Sequence, residues 1–413
     1  MKTVYTNLDQ IVKYIPHSFV EKIAKRYDIS ARNFTPFAHV VALLIYQLGR
    51  LSSLNSVCDL ACAYDNQWRN ITHTTIPCRN TFSHANMTRD PRMMADLFWE
   101  VRNYLITTTP GFDSNRGKGF IHRFKRPIYA IDSSTIALVL NCMNWAKHRR
   151  QKAAAKLHLT LDVKSLLPHF AILESAAHHD SKRAPNLIEN LKNGDICIAD
   201  RAYLDFRFLE ALDRRGIFFV IREKHNFCLE VVKDLSAPQT LDPNSTKVQI
   251  LLDQEIRPSK SMTAQKYTSR LRRVKAYVEV DNKMRIMTFL TNNFDWSPRT
   301  IAELYKARWN IEIFFKEFKQ TCQLQDFLGY NENAIKWQVW SALLVHLLLR
   351  YIAFLSKWKS SFSRLVALIR STLWKFVKLI EFLETYGTAR RLKNQTRPPP
   401  ILYIQEVLPF YIH

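Results

Sequence analysis

The sequence predicts an α/β protein in which a mixed-sheet core, interrupted by a β-rich insertion, is flanked by helical N- and C-terminal regions. Apolar residues recur at helical spacing through residues 1–115. Short apolar strands alternate with helical segments over 116–216, and strands follow one another over 217–299. Helical spacing returns over 300–355, the second part of the core, and over the basic region 356–413. With 47% hydrophobic residues, the chain can bury such a core.

The N-terminal region is predicted to be a helical DNA-binding domain. Residues 8–15 and 37–51 place their apolar side chains on one helical face. Residues 80–86, which follow Pro77, could begin the recognition helix of a helix-turn-helix. A helix of an ordinary bundle explains the same residues equally well, so both alternatives stay open.

Two apolar strands of the predicted core each end in an acid. Residues 127–132 end in Asp132, and residues 195–200 end in Asp200. Acids at strand ends of an α/β sheet lie where ligands bind, although either could be only a turn former. Further strands are predicted at 156–163 and 169–173, with helices at 184–191 and 203–214.

The β-rich insertion is predicted to hold strands at 217–221, 248–252, 273–280 and 285–290. Within it, residues 257–275 carry seven basic residues and no acid, which favours a loop that contacts DNA. Ser297 and Pro298 then predict the N-cap and first turn of one long helix that continues to Gln320.

One face of this helix carries an acid among cations. At about 100° per residue, Tyr305, Arg308, Glu312 and Lys319 fall within a sector of about 60°. A solvated face with an i,i+4 salt bridge between Arg308 and Glu312 is the simpler explanation. That explanation gives no reason for an acid beside two strand-end carboxylates.

Together, Asp132, Asp200 and Glu312 predict a divalent-metal site. Oxygen-only ligands suit Mg²⁺ or Mn²⁺, and two ions about 3.5 to 4 Å apart can drive an in-line phosphoryl displacement. Arg308 and Lys319 would then hold phosphates. A further cluster, His178, His179 and Asp180, could also bind a metal, but Asp180 is as good a helix N-cap as a ligand.

Charge and composition point to nucleic acid. The chain has 60 Lys and Arg against 36 Asp and Glu, a net charge of +24, which favours a polyanionic partner. With eight glycines and no glycine-rich phosphate loop, an NTPase or a Rossmann dehydrogenase is excluded. The longest apolar stretch, 339–355, contains His346 and Arg350, so no membrane span is expected. Seven scattered cysteines favour reduced thiols in a cytosol.

The spacing Tyr305-x2-Arg308-x3-Glu312-x6-Lys319 resembles the Tyr-Arg-Glu-Lys signature of DDE transposases from bacterial insertion sequences, the branch called insertion-sequence family four. Residues 131–135 and 198–203 resemble the first and second aspartate motifs of that family. The order of strand, strand, β-rich insertion and helix also matches.

This resemblance implies a ribonuclease H-like core and cut-and-paste transposition by nicking, hairpin formation, hairpin resolution and strand transfer. It implies Asp132, Asp200 and Glu312 as catalytic and metal-binding residues, with two Mg²⁺ ions per site that Mn²⁺ can replace. It also implies that Tyr305, Arg308 and Lys319 bind DNA, and that an aromatic side chain stacks on a flipped base; Phe294 and Trp296 lie near that region.

The expected partners are double-stranded DNA at terminal inverted repeats and target DNA, with a homodimer in the synaptic complex. The expected location is the bacterial cytoplasm, in association with the nucleoid. The alternative is a catalytically inactive or architectural DNA-binding protein that is sequence-specific and derived from a transposase.

Overall fold

The computed structural model describes residues 5–114, 119–139, 142–149, 152–177, 180–224, 229–236, 241, 248–259, 266–280 and 283–386. The chain divides into two compact units. One unit comprises Met1–Phe112 with Lys316–His413, and the other comprises Asp113–Phe315.

Helices dominate both ends of the described chain. The first seven are α1 Asn7–Val12, α2 His17–Arg26, α3 Pro36–Gly49, α4 Leu54–Ala63, α5 Asp65–Thr72, α6 Arg79–Thr88 and α7 Arg92–Thr108. The remaining helices are α8 Met143–Ala146, α9 Asp180–Leu187, α10 Phe206–Arg214, α11 Pro298–Lys306, α12 Trp309–Thr321, α13 Glu332–Leu355, α14 Phe362–Ser371 and α15 Leu379–Tyr386.

Ten strands of the described chain form one sheet. They are β1 Ile128–Leu138, β2 Lys147–Arg149, β3 Lys152–Asp162, β4 Pro168–Ser175, β5 Ile196–Ala199, β6 Phe218–Arg222, β7 Leu229–Asp234, β8 Gln249–Pro258, β9 Leu271–Val280 and β10 Lys283–Thr291. Both parallel and antiparallel pairs occur, so the predicted mixed sheet is confirmed.

The unit made of the N- and C-terminal regions is helical, and α13 is its central helix. This helix packs against α3 and α7, and the indole Nε1 of Trp337 donates a hydrogen bond to the carbonyl of Arg89 at 3.0 Å. By length and apolar composition α13 could cross a membrane, but 78% of its most apolar 18-residue window is buried inside the protein. The two polar residues named above, His346 and Arg350, do not break it.

The segment predicted as a possible recognition helix forms α6. Phe82, Ala85 and Asn86 are its buried residues, and the side chains of Asn80 and His84 are exposed. Nε2 of His39 lies 2.8 Å from Oδ1 of the buried Asn86, which accepts the hydrogen bond. A packed inner face and a polar outer face are compatible with either alternative.

In the sheet of the other unit, β1 lies between β3 and β5. β1 pairs with β3 in antiparallel fashion and with β5 in parallel, and β5 pairs with β6 in parallel. β10 then joins β6, and β10, β9, β8 and β7 follow as an antiparallel meander. The strands of the predicted insertion therefore extend the same sheet that holds β1.

The predicted basic loop 257–275 is wrong at both of its ends, which lie in strands; residues 260–265 lie outside the described part of the chain. β8 continues to Pro258 and β9 begins at Leu271, and basic side chains of this segment meet acids from other parts of the same unit. Four arginines are paired with acids in this way: Arg257 with Glu230, Arg270 with Glu255, Arg272 with Asp253, and Arg273 with Glu223. The predicted DNA contact of this segment stays a prediction.

Candidate active site

The register of β1 and β5 places Asp132 and Asp200 side by side. Their parallel pairing ends at Ile131 opposite Ala199, and the two aspartates are the next residues along each chain. Because alternate residues of a strand point to opposite faces, both carboxylates lie on the same face of the sheet. The prediction that Asp132 ends its strand is wrong, since β1 continues to Leu138 along β3.

Asp132 lies in a poorly solvated position, with its side chain 24% exposed. Its Oδ1 accepts a hydrogen bond from the backbone N–H of Ser133 at 2.8 Å. The pKa of Asp132 is raised to about 6, mainly by burial and also by the charges of Asp200 and Glu312, against the opposing effects of Ser133 and Arg308. The three predicted carboxylates therefore share one electrostatic field.

The predicted long helix is broken beside this site. Over residues 307–311, backbone N–H groups bond three residues back instead of four, as in the contacts from Arg308 to Tyr305 and from Ile311 to Arg308. α11 therefore ends at Lys306 and α12 begins at Trp309, so the calculated single helical face is wrong. Arg308 stands in the break, between the two helices.

From this break, Arg308 reaches two of the three carboxylates. Its Nη1 lies 3.5 Å from Oδ2 of Asp132, and its Nη2 donates a 2.5 Å hydrogen bond to Oε1 of Glu312. The Arg308 side chain is only 14% exposed. Burial lowers the pKa of its guanidinium, but Tyr305, Glu312 and Asp132 more than offset this, so the pKa lies above its ordinary value. The i,i+4 pair therefore exists, but it is a partly buried contact and not a solvated one.

Tyr305 connects the end of α11 to the second aspartate. Its hydroxyl donates a 3.3 Å hydrogen bond to Oδ1 of Asp200, and its ring packs on Phe289 with centroids 4.8 Å apart. The guanidinium of Arg308 lies 5.6 Å from the centroid of the same ring. Burial raises the pKa of the Tyr305 phenol, so it remains a neutral hydrogen-bond donor.

The structure thus brings together five of the six predicted site residues. Glu312 lies in the first turn of α12, where a carboxylate is favourable at the helix N-terminus. Lys319 lies in the last turn of that helix and belongs to the other unit. Its side chain is exposed, and partial burial lowers the pKa of its ammonium.

Comparison with known proteins identifies the family. The family model described as "Transposase DDE domain" matches residues 123–348, a range that contains all six candidate residues. The chain belongs to this transposase family. The resemblance carried by the Tyr-Arg-Glu-Lys spacing is thereby confirmed at the level of bacterial insertion-sequence DDE transposases.

Individual relatives agree with this assignment. The transposase is similar to the probable transposase of insertion sequence element IS5377 from Geobacillus stearothermophilus, with 29% identity over 287 residues, 66% of this chain and 71% of that protein. It is 24% identical over 237 residues to the transposase of insertion sequence element IS231E from Bacillus thuringiensis, 47% of this chain and 49% of that protein. A cryo-EM structure of a piggyBac transposase synaptic complex with hairpin DNA matches 92% of this chain and 80% of its own, at 10% identity and a TM-score of 0.42.

The three carboxylates of the transposase suit a hard divalent cation in kind, but Arg308 contacts two of them, Asp132 and Glu312, in this structure. Among the described residues, no three His, Cys, Asp or Glu side chains are close enough together to hold a metal ion. The guanidinium of Arg308 lies between Asp132 and Glu312, as the distances above show. The pKa of Asp132 stays raised although this guanidinium lowers it, because burial raises it more.

An exposed tryptophan beside the site is a feature that the sequence analysis missed. Trp309 is 43% exposed and lines a cavity of about 960 Å³ that also contacts Tyr305 and Arg308. β9 and β10 supply an apolar wall to this cavity through Val278 and Met287, among others. The position of Trp309 immediately after the motif arginine was the available signal.

The aromatic residues that the sequence analysis did name are placed differently. The ring of Trp296 packs on Phe218 and Phe124, with centroids 5.3 and 6.0 Å apart, and its carbonyl accepts a 2.6 Å hydrogen bond from Arg272. Phe294 is 36% exposed, and the guanidinium of Arg270 lies 5.6 Å from its ring centroid. His178 and His179, the other named pair, lie outside the described residues.

Proposed function

We propose that this DNA transposase is a metal-dependent enzyme that excises its insertion sequence and inserts it elsewhere. Asp132, Asp200 and Glu312 are its catalytic carboxylates. The observation that supports this assignment is the shared site of the three: β1 and β5 present two aspartates at the same level, and Arg308 joins one of them to the glutamate. The mixed order of strands around β1 supports a ribonuclease H-like core.

Mg²⁺, or Mn²⁺ in its place, is the proposed cofactor, with two ions held by Asp132, Asp200 and Glu312. Divalent ions, when bound there, activate the attacking oxygen and stabilise the leaving oxygen of an in-line displacement. The donor set of this chain fits, because its carboxylate oxygens are the ligands that these hard ions prefer. Three carboxylates against one guanidinium also leave negative charge at the site that a cation can balance.

Arg308 has two successive roles in this proposal. Without metal, its guanidinium holds Asp132 and Glu312 together. Were divalent cations held by these carboxylates, the guanidinium would be available for a DNA phosphate, which it could bind in bidentate fashion. Tyr305 stays beside it as a neutral donor, and Lys319 adds a point charge along the DNA.

The reaction proceeds in two kinds of step. Hydrolysis at the element end breaks one P–O bond and frees a 3′-hydroxyl. That hydroxyl then attacks the phosphodiester of the opposite strand, so that one P–O bond forms as another breaks and a hairpin results. Hairpin resolution by water and attack of the 3′-ends on target DNA complete the sequence.

The exposed Trp309 is the proposed aromatic partner of a base flipped during hairpin formation. It lies beside Arg308 at a cavity with apolar walls, and base–aromatic stacking contributes about 1–3 kcal/mol per base. Of the two aromatic residues named near that region from the sequence, Trp296 is packed against other rings, and Phe294 lies against Arg270.

The partners follow from the reaction. Residues 1–115 bind the terminal inverted repeats, and the basic region 356–413 contacts DNA or the second subunit of a homodimeric synaptic complex that also holds target DNA. Residues 116–216 and 300–355 form the catalytic core, and 217–299 form the insertion. The protein acts in the bacterial cytoplasm on nucleoid DNA.

The deciding experiment incubates the purified full chain with labelled DNA that carries the element ends. We expect nicks and hairpins with Mg²⁺ and neither with EDTA. Asp132→Asn, Asp200→Asn and Glu312→Gln should each abolish cleavage and leave end binding intact, because each removes a cation ligand that also repels phosphate. Asp195→Asn, at the other end of β5, is the control and should cut normally.

A variant of the triad that cuts at close to the wild-type rate would remove that residue from the site. A wild-type protein that binds the ends but fails to cut them with any divalent ion would favour the architectural alternative.

A further inference from the structure

A second polar cluster lies behind the catalytic strand. Ser133 follows Asp132 on β1 and points to the opposite face of the sheet, where α9 and α10 cover the core. Ser133 and the polar side chains around it form what we call the rear cluster, which consists of Ser133, Lys156, His158, Glu174, Asp180 and Arg183. They come from β1, β3, β4 and α9, and the function described above uses none of them.

Asp180 is the centre of this cluster. Its Oδ1 accepts a 2.6 Å hydrogen bond from the Ser133 hydroxyl and a 3.2 Å hydrogen bond from the Lys156 ammonium. Nδ1 of the fully buried His158 lies 3.7 Å from the same oxygen. One carboxylate oxygen of Asp180 thus contacts three side chains from β1 and β3. Asp180 itself is the first residue of α9.

The rest of the cluster fixes the position of α9 on the sheet. Nε of Arg183, one turn along α9, donates to both oxygens of Glu174 on β4 at 2.9 Å. Nε2 of His158 lies 3.2 Å from Oε1 of Glu174. Two acids and two cations balance in a site where the side chains of Lys156 and Glu174 are 12% and 14% exposed. A balanced and largely buried set of this kind holds one geometry because every alternative leaves a charge unpaired.

The cluster is connected to Asp132 through one residue. The hydroxyl of Ser133 is held by Asp180, and the backbone N–H of Ser133 donates to Oδ1 of Asp132 at 2.8 Å. A change in the position of Asp180 therefore changes the donor that orients the Asp132 carboxylate. The link from Asp180 to Asp132 therefore runs through Ser133 alone.

It is connected to Asp200 through a buried tyrosine. Residues 201–203 form a 3₁₀ turn directly after Asp200, and the N–H of Tyr203 donates to the Asp200 carbonyl at 3.1 Å. The Tyr203 side chain is fully buried, and α9 packs against this turn. Burial raises the pKa of the Tyr203 phenol, and the charges of Asp132 and Asp180 act in the same direction, so the hydroxyl stays protonated.

We propose that Asp180 is a positioning residue for the two catalytic aspartates, acting on Asp132 through Ser133 and on Asp200 through the turn that contains Tyr203. It is not a catalytic residue, because it lies on the opposite face from the reacting groups. The inference rests on the proposed function, since it assigns Asp132 and Asp200 the task of holding cations. Outer partners of metal ligands typically change metal affinity by about 10- to 100-fold when removed.

The test measures Mn²⁺ affinity of the full chain without DNA, by the loss of the free-ion EPR signal, together with the melting temperature. We expect Asp180→Ala to weaken Mn²⁺ binding about tenfold. Asp180→Asn should recover part of that affinity, because its amide oxygen can still accept from Ser133. Ser133→Ala tests the same link with a smaller change to the fold. The control is Asp195→Ala, which removes a buried carboxylate whose Oδ2 accepts from the Lys192 N–H at 2.7 Å.

Mn²⁺ binding that is weakened in Asp180→Ala and Ser133→Ala but kept in the control supports the assignment. If Asp180 and Ser133 act through the same series of contacts, the double variant should bind Mn²⁺ no more weakly than Asp180→Ala. Wild-type Mn²⁺ affinity in a folded Ser133→Ala and a folded Asp180→Asn would overturn it. Equal weakening in the control, with equal loss of melting temperature, would also overturn it. A wild-type protein that binds no Mn²⁺ and cuts no DNA would instead overturn the proposed function.

Discussion

Replacing Asp132 with asparagine should make the metal-free protein more stable while it destroys the site. In the folded protein the carboxylate is largely buried beside two other acids, and Arg308 compensates it only in part. The unfolded chain exposes the same carboxylate to water. An asparagine side chain has nearly the same shape without the charge, so the variant removes an electrostatic cost that only the folded state bears.

The size of this effect follows from the pKa of Asp132, which burial raises from 3.8 to about 6. At about 1.4 kcal/mol for each pH unit, the rise corresponds to about 3 kcal/mol, and residual solvent contact reduces this to about 2 kcal/mol. Below pH 4 the group is neutral in both states, so the variant gains nothing. The wild type loses stability as pH rises from about 4 to 6, because the folded state holds the proton more tightly. The full gain of the variant therefore appears above pH 6.

The assay compares melting temperatures in EDTA at pH 8 and at the lowest pH at which the protein stays folded. Each kcal/mol corresponds to about 2–4 °C for a unit of 150–250 residues, so a gain of about 4–8 °C is expected at pH 8 and a smaller gain in acid. Asp253→Asn is the matched control. Asp253 forms a bidentate pair with Arg272, their side chains are 4% and 5% exposed, and its loss should cost about 3 kcal/mol or more.

The reasoning is refuted if Asp132→Asn melts no higher than the wild type at pH 8 while the control melts lower. Mg²⁺ provides a second check. It should raise the melting temperature of the wild type, since binding to the folded state stabilises it by mass action, and should raise that of Asp132→Asn much less.

Three further predictions concern DNA. Arg308→Ala and Lys319→Ala should keep nicking but lose hairpins by about a hundredfold, because only the hairpin step needs a bent strand held in register; equal slowing of both steps on labelled ends would contradict this. Trp309→Ala should reduce the fluorescence change of 2-aminopurine at the element end, whereas Trp296→Ala should mainly lower the melting temperature; the reverse pattern would reassign the stacking residue. End binding should weaken with salt at a log–log slope steeper than about −3, and a shallower slope would mean that most basic side chains face away from DNA.

The sequence predicted the sheet well because its strands carry local signals. The alternation of apolar and polar residues in β3 and the apolar run of β5 can be recognised from the sequence without tertiary information. The exposed edge strand β7 has neither a clear alternation nor an apolar run, so the sequence does not predict it. The sequence also does not predict that β1 continues past Asp132. Residues 133–135 are polar, and they belong to the strand because they pair with β3.

The fate of the basic segment 257–275 shows a limit of charge counting. Seven basic residues without an acid look like a free surface for DNA, yet the acids that pair with four of them are on other strands. A net charge of +24 is therefore informative about the whole chain, and it does not locate the residues that contact phosphate.

The geometry of the candidate site could not be predicted from the sequence, and Arg308 shows why. Its spacing from Glu312 is the same in a continuous helix and in a broken one, so the motif alone cannot distinguish them. The break is set by three-residue hydrogen bonds around Arg308, which depend on how α11 and α12 pack. In the broken arrangement the guanidinium contacts both Asp132 and Glu312. A residue expected to pair with Glu312 or to hold phosphate thus also contacts Asp132.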